Sequence, residues 1–500
     1  MNPNPGAVWR STQVRAIDAF AIARLGIPGY ELMQRAAAAA LRELQARWPQ
    51  ARVLRVLCGA GNNGGDGYVL ARLARHVGLD AVVGAVTDPA KLHGDAARAH
   101  TDWQAAGGST VAWQEALEPA DAVLVDAMLG TGASRGLREP YLDAVNAVNK
   151  VRRRVLAVDV PTGLDADSGL SFGACVRADC TVTFIAHKPG LWLGRGPDFC
   201  GEVRLADLDL PRWPDDLGEP ALETIRATLV ASSLPPRVRG ANKGQYGHVL
   251  VLGGAPGMPG AARLCGEAAL RVGAGLLSVA TSPEHAGQLA ASRPELMVSG
   301  VSDAAELMPL LQRSDVIAIG PGLGQSAWAR SMWSCAMSAG LPLIVDADAL
   351  NLLAAEPEKR GGWILTPHPG EAGRLLGIPT SAVQGDRLGA VLELQRRYGG
   401  VIVLKGAGSL MAHADSGAST APVRLCLAGN PGMAAPGMGD VLTGIIAGLF
   451  AQVRDLALAA ELGVLVHATA GDRAAGTTPR GMLASDLLAE LRACVNPASG

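Results

Sequence analysis

RVLRVLCGAGNNGGDG, residues 52–67, is the stretch on which the fold turns. Residues 52–58 are dominated by Val and Leu and read as a buried strand. Five glycines in the nine residues that follow make a flexible loop in which positive φ angles are expected. Helical periodicity then runs from 68 to about 77, and a second short strand follows at 81–86. A strand, a tight loop, a helix and another strand make a βαβ unit, so a parallel sheet covered on both faces is expected. Further strands are expected at 122–126, 155–160 and 181–185, with an alanine-rich helical region ahead of them at 12–48.

The pattern changes over residues 206–244, where Pro211, Pro214, Pro220, Pro235 and Pro236 sit among charged residues. This reads as a linker. A second α/β pattern follows, with strands near 247–252, 276–280, 316–320, 343–346 and 401–404. Helical stretches near 456–474 and 482–494 close it. With 500 residues, two domains are the natural expectation. The 44 basic and 46 acidic side chains nearly cancel, which argues against nucleic acid or an anionic membrane as partner. The eight cysteines show no C-x-x-C spacing and read as reduced apolar fillers. No signal-peptide pattern opens the chain and no apolar run is long enough to span a bilayer, so a cytoplasmic protein acting on small molecules is expected.

The candidate chemistry lies at strand ends, where ligands of open parallel sheets bind. The loop Gly59–Gly67 opens a helix whose free N–H groups suit a phosphate. It is neither a G-x-G-x-x-G fingerprint nor a Walker loop, and Asp66 could instead serve as a helix N-cap. Asp126 closes one strand ahead of the loop 130–136, and Asp159 closes another ahead of Val160-Pro161-Thr162-Gly163. Either carboxylate could act as a general base. Asn63, Asp126 and Thr162 are also hard oxygen donors suited to an alkali or alkaline-earth ion. In the second half, Gly429-Asn430-Pro431-Gly432-Met433 and Gly437-Met438-Gly439-Asp440 precede an apolar helix at 445–451. Backbone N–H groups there can cradle phosphoryl oxygens, with Asp440 placed to take a proton or merely to cap the helix. Lys405-Gly406-Ala407-Gly408-Ser409 and Gly320-Pro321-Gly322-Leu323-Gly324 are flexible strand-end loops. His368 is fixed between Pro367 and Pro369, and His467 reads as structural.

The strings GAGNNGGDGYVLARLA, VDAMLGTGASRGL and AVDVPTGLDADSG resemble the NAD(P)HX epimerase family over residues 12–208. That resemblance implies a Rossmann-like three-layer sandwich over residues 10–215. It assigns the hydrated dinucleotide to Asn62, Asn63, Gly64, Gly65, Asp66, Gly130, Thr131, Gly132, Ala133, Ser134, Arg135, Gly136, Tyr141 and Asp159. It places a potassium ion on Asn63, Asp126 and Thr162. The chemistry implied is interconversion of the R and S hydrates at C6 of the nicotinamide ring, with Asp159 moving protons.

KGQYGHVLVLGG, GAARLCGEAALRVGAGL, VDADALN and LTPHPGEAGRLLG resemble the ADP- or ATP-dependent NAD(P)HX dehydratases over residues 234–491. This implies a ribokinase-like α/β domain over residues 225–500. On that resemblance Lys405, Gly406, Ala407, Gly408, Ser409 and Gly439 bind ADP or ATP with magnesium. Ala261, Gly322, His368 and Asp440 bind NADHX or NADPHX, with Asp440 as catalytic base. Two positions depart from the family pattern. Ala435-Pro436 replace a hydroxyl residue and a glycine, removing a hydroxyl and an N–H from the phosphate loop. Asn242 stands where histidine is frequent. Together the two resemblances describe a bifunctional repair enzyme for hydrated NADH and NADPH, expected to form a homo-oligomer. The competing reading is a ribokinase-superfamily small-molecule kinase with a nucleotide-binding N-terminal domain. A third is that one domain has become a binding module.

Overall fold

The computed structural model describes residues 6–132, 136–171, 173–414 and 422–496. The chain divides into two compact units between Leu222 and Glu223. The candidate residues Ala133, Ser134 and Arg135 lie outside the described residues.

The front unit is built on β1 (Val53–Cys58), β2 (Asp80–Ala85), β3 (Thr110–Ala112), β4 (Val123–Ala127), β5 (Val155–Val158), β6 (Cys180–Phe184) and β7 (Glu202–Ala206). They pair in the order β3-β2-β1-β4-β5-β6-β7, every neighbour parallel. Period-2 alternation divides the core between two faces. Leu54, Val56 and Cys58 pack with α1 (Ser11–Leu25), α2 (Gly29–Arg47), α3 (Asn62–His76) and α4 (Gly94–Ala105). Leu57 and Leu124 face the other way, against Val145 and Val148 of α5 (Tyr141–Val151). A sheet between two helical layers results.

The rear unit holds β8 (Leu222–Thr224), β9 (His248–Leu252), β10 (Leu276–Thr281), β11 (Met297–Gly300), β12 (Val316–Ile319), β13 (Leu343–Val345), β14 (Trp363–Leu365), β15 (Val401–Leu404), β16 (Ser409–His413) and β17 (Arg424–Cys426). The order is β8-β17-β16-β15-β14-β13-β12-β9-β10-β11. Only the β15-β16 and β16-β17 pairs are antiparallel. Val249, Val251, Ala318 and Ile344 pack on α6 (Pro259–Arg271), α7 (Met438–Val453) and α8 (Leu456–Ala475). Leu250, Leu252, Ile317 and Ile319 are also fully buried, so this sheet too is covered on both faces. No described helix is long and apolar enough to cross a membrane.

Three expectations are corrected. The glycine-rich segment is largely not a loop, because α3 already begins at Asn62 rather than near 68. None of its five glycines takes a positive φ. They are small for packing: a Cβ on Gly59 would lie 2.0 Å from the Met128 carbonyl oxygen, and one on Gly67 2.6 Å from the Ala127 Cβ. The stretch read as linker contains β8, whose Glu223 and Thr224 align with Arg424 and Leu425 of β17. The last glycine-flanked helix starts at Met438, seven residues earlier than its apolar run suggests.

Candidate functional sites at two sets of strand ends

Adjacent strands β1, β4, β5 and β6 end at Gly59, Asp126–Ala127, Asp159 and the segment leading to Lys188, so topology alone gathers these groups. Asp159 and Lys188 border a cavity of about 540 Å³ lined also by Asp18, Asn62, Asn63, Asp66, Gly130, Thr131 and Gly132.

Asp159 follows the last residue of β5 in the left-handed region, at φ 66°. Such a conformation is uncommon outside glycine, Asn and Asp, and at a strand end it redirects the side chain. Its Oδ1 accepts from Lys188 Nζ at 2.5 Å. The Lys188 ammonium, 1% exposed, also donates to Thr183 Oγ1 and the Phe184 carbonyl, at 2.8 and 2.9 Å. All three protons of this buried cation are therefore directed. The other oxygen, Oδ2, faces Gly130: a Cβ there would stand 3.3 Å from it and 3.2 Å from Asn63 Oδ1. Gly130 is thus the gap through which Asp159 and Asn63 meet the cavity.

Asp126 is 1% exposed and accepts from Thr162 N, Thr162 Oγ1 and Met128 N at 2.8, 2.7 and 3.2 Å. Burial pushes its carboxyl up to about 6, against the opposing effect of these hydrogen bonds. Thr162 also joins the Leu129 backbone through Oγ1, which ties the loop after β4 to the loop after β5. Asn63 Nδ2 is buried with no partner among the described residues. Asp66 lies one turn inside α3, so it is not the N-cap; Gly61 is. Burial raises its carboxyl well above the usual range, with Asp159 and then Asp18 adding to the shift. Tyr141 Oη accepts from Ala60 N at 3.4 Å. Among the described residues no three His, Cys, Asp or Glu side chains converge as a metal cluster. The set Asn63, Asp126 and Thr162, with one carboxylate, suits a weakly charged cation instead.

In the rear unit the neighbours β12, β13, β14 and β15 end at Gly320, Asp346, Thr366–His368 and Lys405. Asp346 is 1% exposed; its Oδ1 accepts from Lys405 Nζ at 2.6 Å and its Oδ2 from Thr443 Oγ1 at 2.8 Å. Burial would raise this carboxyl, but Lys405 prevails and holds it below the usual range. Lys405 also lies 3.7 Å from Glu371 Oε2. Asp440, in the first turn of α7, has no such partner: burial, with Asp346 next, pushes it up to about 7 in spite of Lys405. Gly439 sits between the two groups, since a Cβ on it would lie 3.2 Å from Asp346 Oδ2 and 3.3 Å from Lys405 Nζ. Gly437, at φ 86°, starts the helix. Gly322, at φ 59°, packs against α6, where a Cβ would meet that of Ala261 at 3.2 Å. The His368 ring caps the helix Pro369–Leu376: its Nδ1 accepts from Gly370 N and Glu371 N at 3.0 and 3.3 Å. His467 is partly exposed, but its Nε2 is buried with no partner among the described residues, and burial lowers its imidazole to about 4.

Lys188, Asp346, Thr443, Glu371 and Arg387 escaped the sequence reading. The rule that found Asp126 and Asp159 also points to Asp346, the first residue past a strand. Lys188 lies four residues past β6 and needed the same rule extended over a turn.

Residues 249–493 match the family described as NAD(P)H-hydrate dehydratase, and residues 29–190 the YjeF-related protein N-terminus. A bifunctional NAD(P)H-hydrate repair enzyme of Coxiella burnetii is 47% identical over 98% of this chain and 99% of its own length. The enzyme of that name from Escherichia coli is 42% identical, over 99% and 95%. Among solved structures, a Streptococcus mutans protein of unassigned function is 27% identical with a TM-score of 0.50, covering 55% of this chain and 98% of its own.

Proposed function

The chain belongs to the bifunctional NAD(P)H-hydrate repair enzymes, and from that premise we propose how its residues divide the repair. The enzyme carries an epimerase and a dehydratase. We assign the epimerase to residues 10–215 and the dehydratase, of ribokinase-like fold, to residues 225–500.

In the epimerase the substrate carbon C6 bears a hydroxyl beside the ring nitrogen. The nitrogen lone pair expels that oxygen, C6 becomes planar, and water returns to either face. Asp159 and Lys188 hand a proton to the departing oxygen and take one from the entering water. The segment Asn62–Asp66, the loop at Gly130–Gly136 and Tyr141 hold the dinucleotide. Asn63, Asp126 and Thr162 would hold potassium; buried Asp126, which pairs with no cationic side chain among the described residues, supports that placement. When bound, the ion supplies a fixed positive charge against that carboxylate.

In the dehydratase Asp440 takes the proton of the C6 hydroxyl as its oxygen attacks the terminal phosphorus of ADP or ATP. The phosphorus–oxygen bond to AMP or ADP breaks, leaving a C6 phosphate ester. The ring nitrogen then expels phosphate, and loss of a proton from C5 restores the dihydronicotinamide. Lys405–Ser409 and Gly439 hold the nucleotide, which brings magnesium on its phosphates to offset their charge. Ala261, Gly322, His368 and Asp440 hold the hydrated ring. The observation that carries this reading is Asp440 itself, lifted to about 7 beside a lysine already committed to Asp346. A general base is most useful when its pKa lies near the working pH. The reading includes a cytoplasmic homo-oligomer with neither nucleic-acid nor membrane partner, in keeping with the balanced charge.

The test supplies mixed R and S NADHX with potassium, magnesium and ADP or ATP, and follows dihydronicotinamide absorbance. Both epimers are recovered by the wild type, and only the S share by Asp159→Ala. No recovery with either nucleotide would sink the dehydratase assignment.

A further inference from the structure

The nucleotide loop after β15 rests on a buried arginine that the mechanism above does not use. Arg387 is 4% exposed. Its Nη2 donates to the carbonyls of Leu404, Lys405 and Gly408 at 3.4, 3.3 and 3.2 Å, and its Nη1 to Gln384 Oε1 at 3.2 Å. Its Nε is buried with no partner among the described residues. Among the described residues no carboxylate offsets its charge, and burial alone lowers its pKa, to about 10, so it stays a cation at neutral pH. A buried charge without a counter-ion is costly, and carbonyl dipoles offset only part of that cost.

The loop's geometry gives that cation a purpose. A trans peptide is planar, with C=O and the next N–H pointing opposite ways. Drawing the Lys405 carbonyl toward Arg387 therefore sends the Gly406 N–H to the other side of the loop, and no described residue accepts it. Gly406 has φ 140°, and a Cβ there would lie 2.9 Å from the guanidinium. The adjacent Lys405 N–H is held by the Pro367 carbonyl at 2.9 Å. The loop is thus fixed from behind, with an amide turned outward and a positive charge beneath it.

We propose that Arg387 is the positioning residue of the nucleotide loop, orienting the Gly406 amide toward a phosphate of the nucleotide and supplying the buried charge that the phosphate offsets. This rests on the reading of Lys405–Ser409 as the nucleotide site. The effect is specific to one ligand, because Arg387 serves the loop that holds nucleotide and not the groups assigned to the hydrated ring.

The test uses the full chain and two ligands. ADP and ATP binding with magnesium is measured calorimetrically for wild type, Arg387→Met and Arg387→Lys, and KM is measured separately for ADP and for S-NADHX. In R387M, nucleotide affinity falls roughly 10- to 100-fold, the loss expected for charge-assisted hydrogen bonds. KM for S-NADHX stays within about twofold, and R387K, which keeps the charge but not the fork, falls between. Undiminished ADP affinity in R387M, or equal rises in both KM values, overturns the inference. If R387M fails to fold, R387K decides: a KM for ADP raised about fivefold supports it and an unchanged one overturns it. A wild type that binds neither nucleotide would instead overturn the nucleotide reading, and this inference with it.

Discussion

Each unit holds one lysine against an aspartate just past a strand end: Lys188 on Asp159 at 2.5 Å, and Lys405 on Asp346 at 2.6 Å. On the proposed reading the pairs differ in which carboxylate is left to react. In front, the paired Asp159 is itself the group facing the cavity, and its side chain is 16% exposed. Behind, the paired Asp346 is sealed at 1%, and Asp440 reaches about 7 without an ammonium of its own. An epimerase runs in both directions with little net driving force, so an aspartate already sharing a proton donor can both give and take. Phosphoryl transfer to a hydroxyl needs a carboxylate that accepts a proton and keeps it while the new bond forms. On the proposed reading, sparing Asp440 from ion pairing serves that need, and the Asp346–Lys405 pair sets its electrostatic surroundings.

The comparison breaks most visibly at Asp440. Asp440→Asn lowers dehydration of S-NADHX about 10³-fold while epimerisation, followed by chromatography of the two epimers, is unchanged. Asp159→Asn is the mirror experiment: epimerisation falls about 10²-fold and the dehydration rate of S-NADHX is preserved. Equal loss of both activities in either variant would mean that the two sites are not independent. Removing the lysines separates a sealed pair from an open one. Lys405→Met strands a buried carboxylate and destabilises the rear unit by about 3 kcal/mol in urea unfolding. Lys188→Met leaves Asp159 facing the cavity, where water can reach it, and costs less, about 1–2 kcal/mol. Equal losses would erase the distinction. The smallest effect is in pH. Because the folded-state pKa of Asp440 is raised to about 7 and its deprotonated form is the base, dehydratase kcat/KM falls about tenfold per pH unit below that value and levels off above it. An inflection near the ordinary aspartate value of 3.8 would show that the carboxylate is not held up.

Much of this architecture was legible because a buried parallel strand announces itself by a mostly apolar run and a glycine stop, as in residues 53–59. The short strands β3, β14 and β17, of three residues each, carry too little pattern to register. The α3 boundary was missed because glycines at Gly64, Gly65 and Gly67 read as loop, whereas close packing on the Gly59 backbone, Met33 and Ala127 respectively demands them inside the helix. Asp126, Asp159 and Asp440 could be named because a carboxylate at a strand or helix end is a local signal. Lys188 and Arg387 could not, since each acts on groups placed by pairing between strands or by a loop of another element.

The capping role of His368 also fixes its chemistry. Because Nδ1 accepts two backbone N–H bonds, the ring's single proton must sit on Nε2, the atom that lies 3.4 Å from Glu371 Oε1. The imidazole therefore offers a ligand a donor and no lone pair. What it can recognise is an oxygen, such as a carboxamide carbonyl or a phosphate, and a ligand N–H in that position would find nothing to bind.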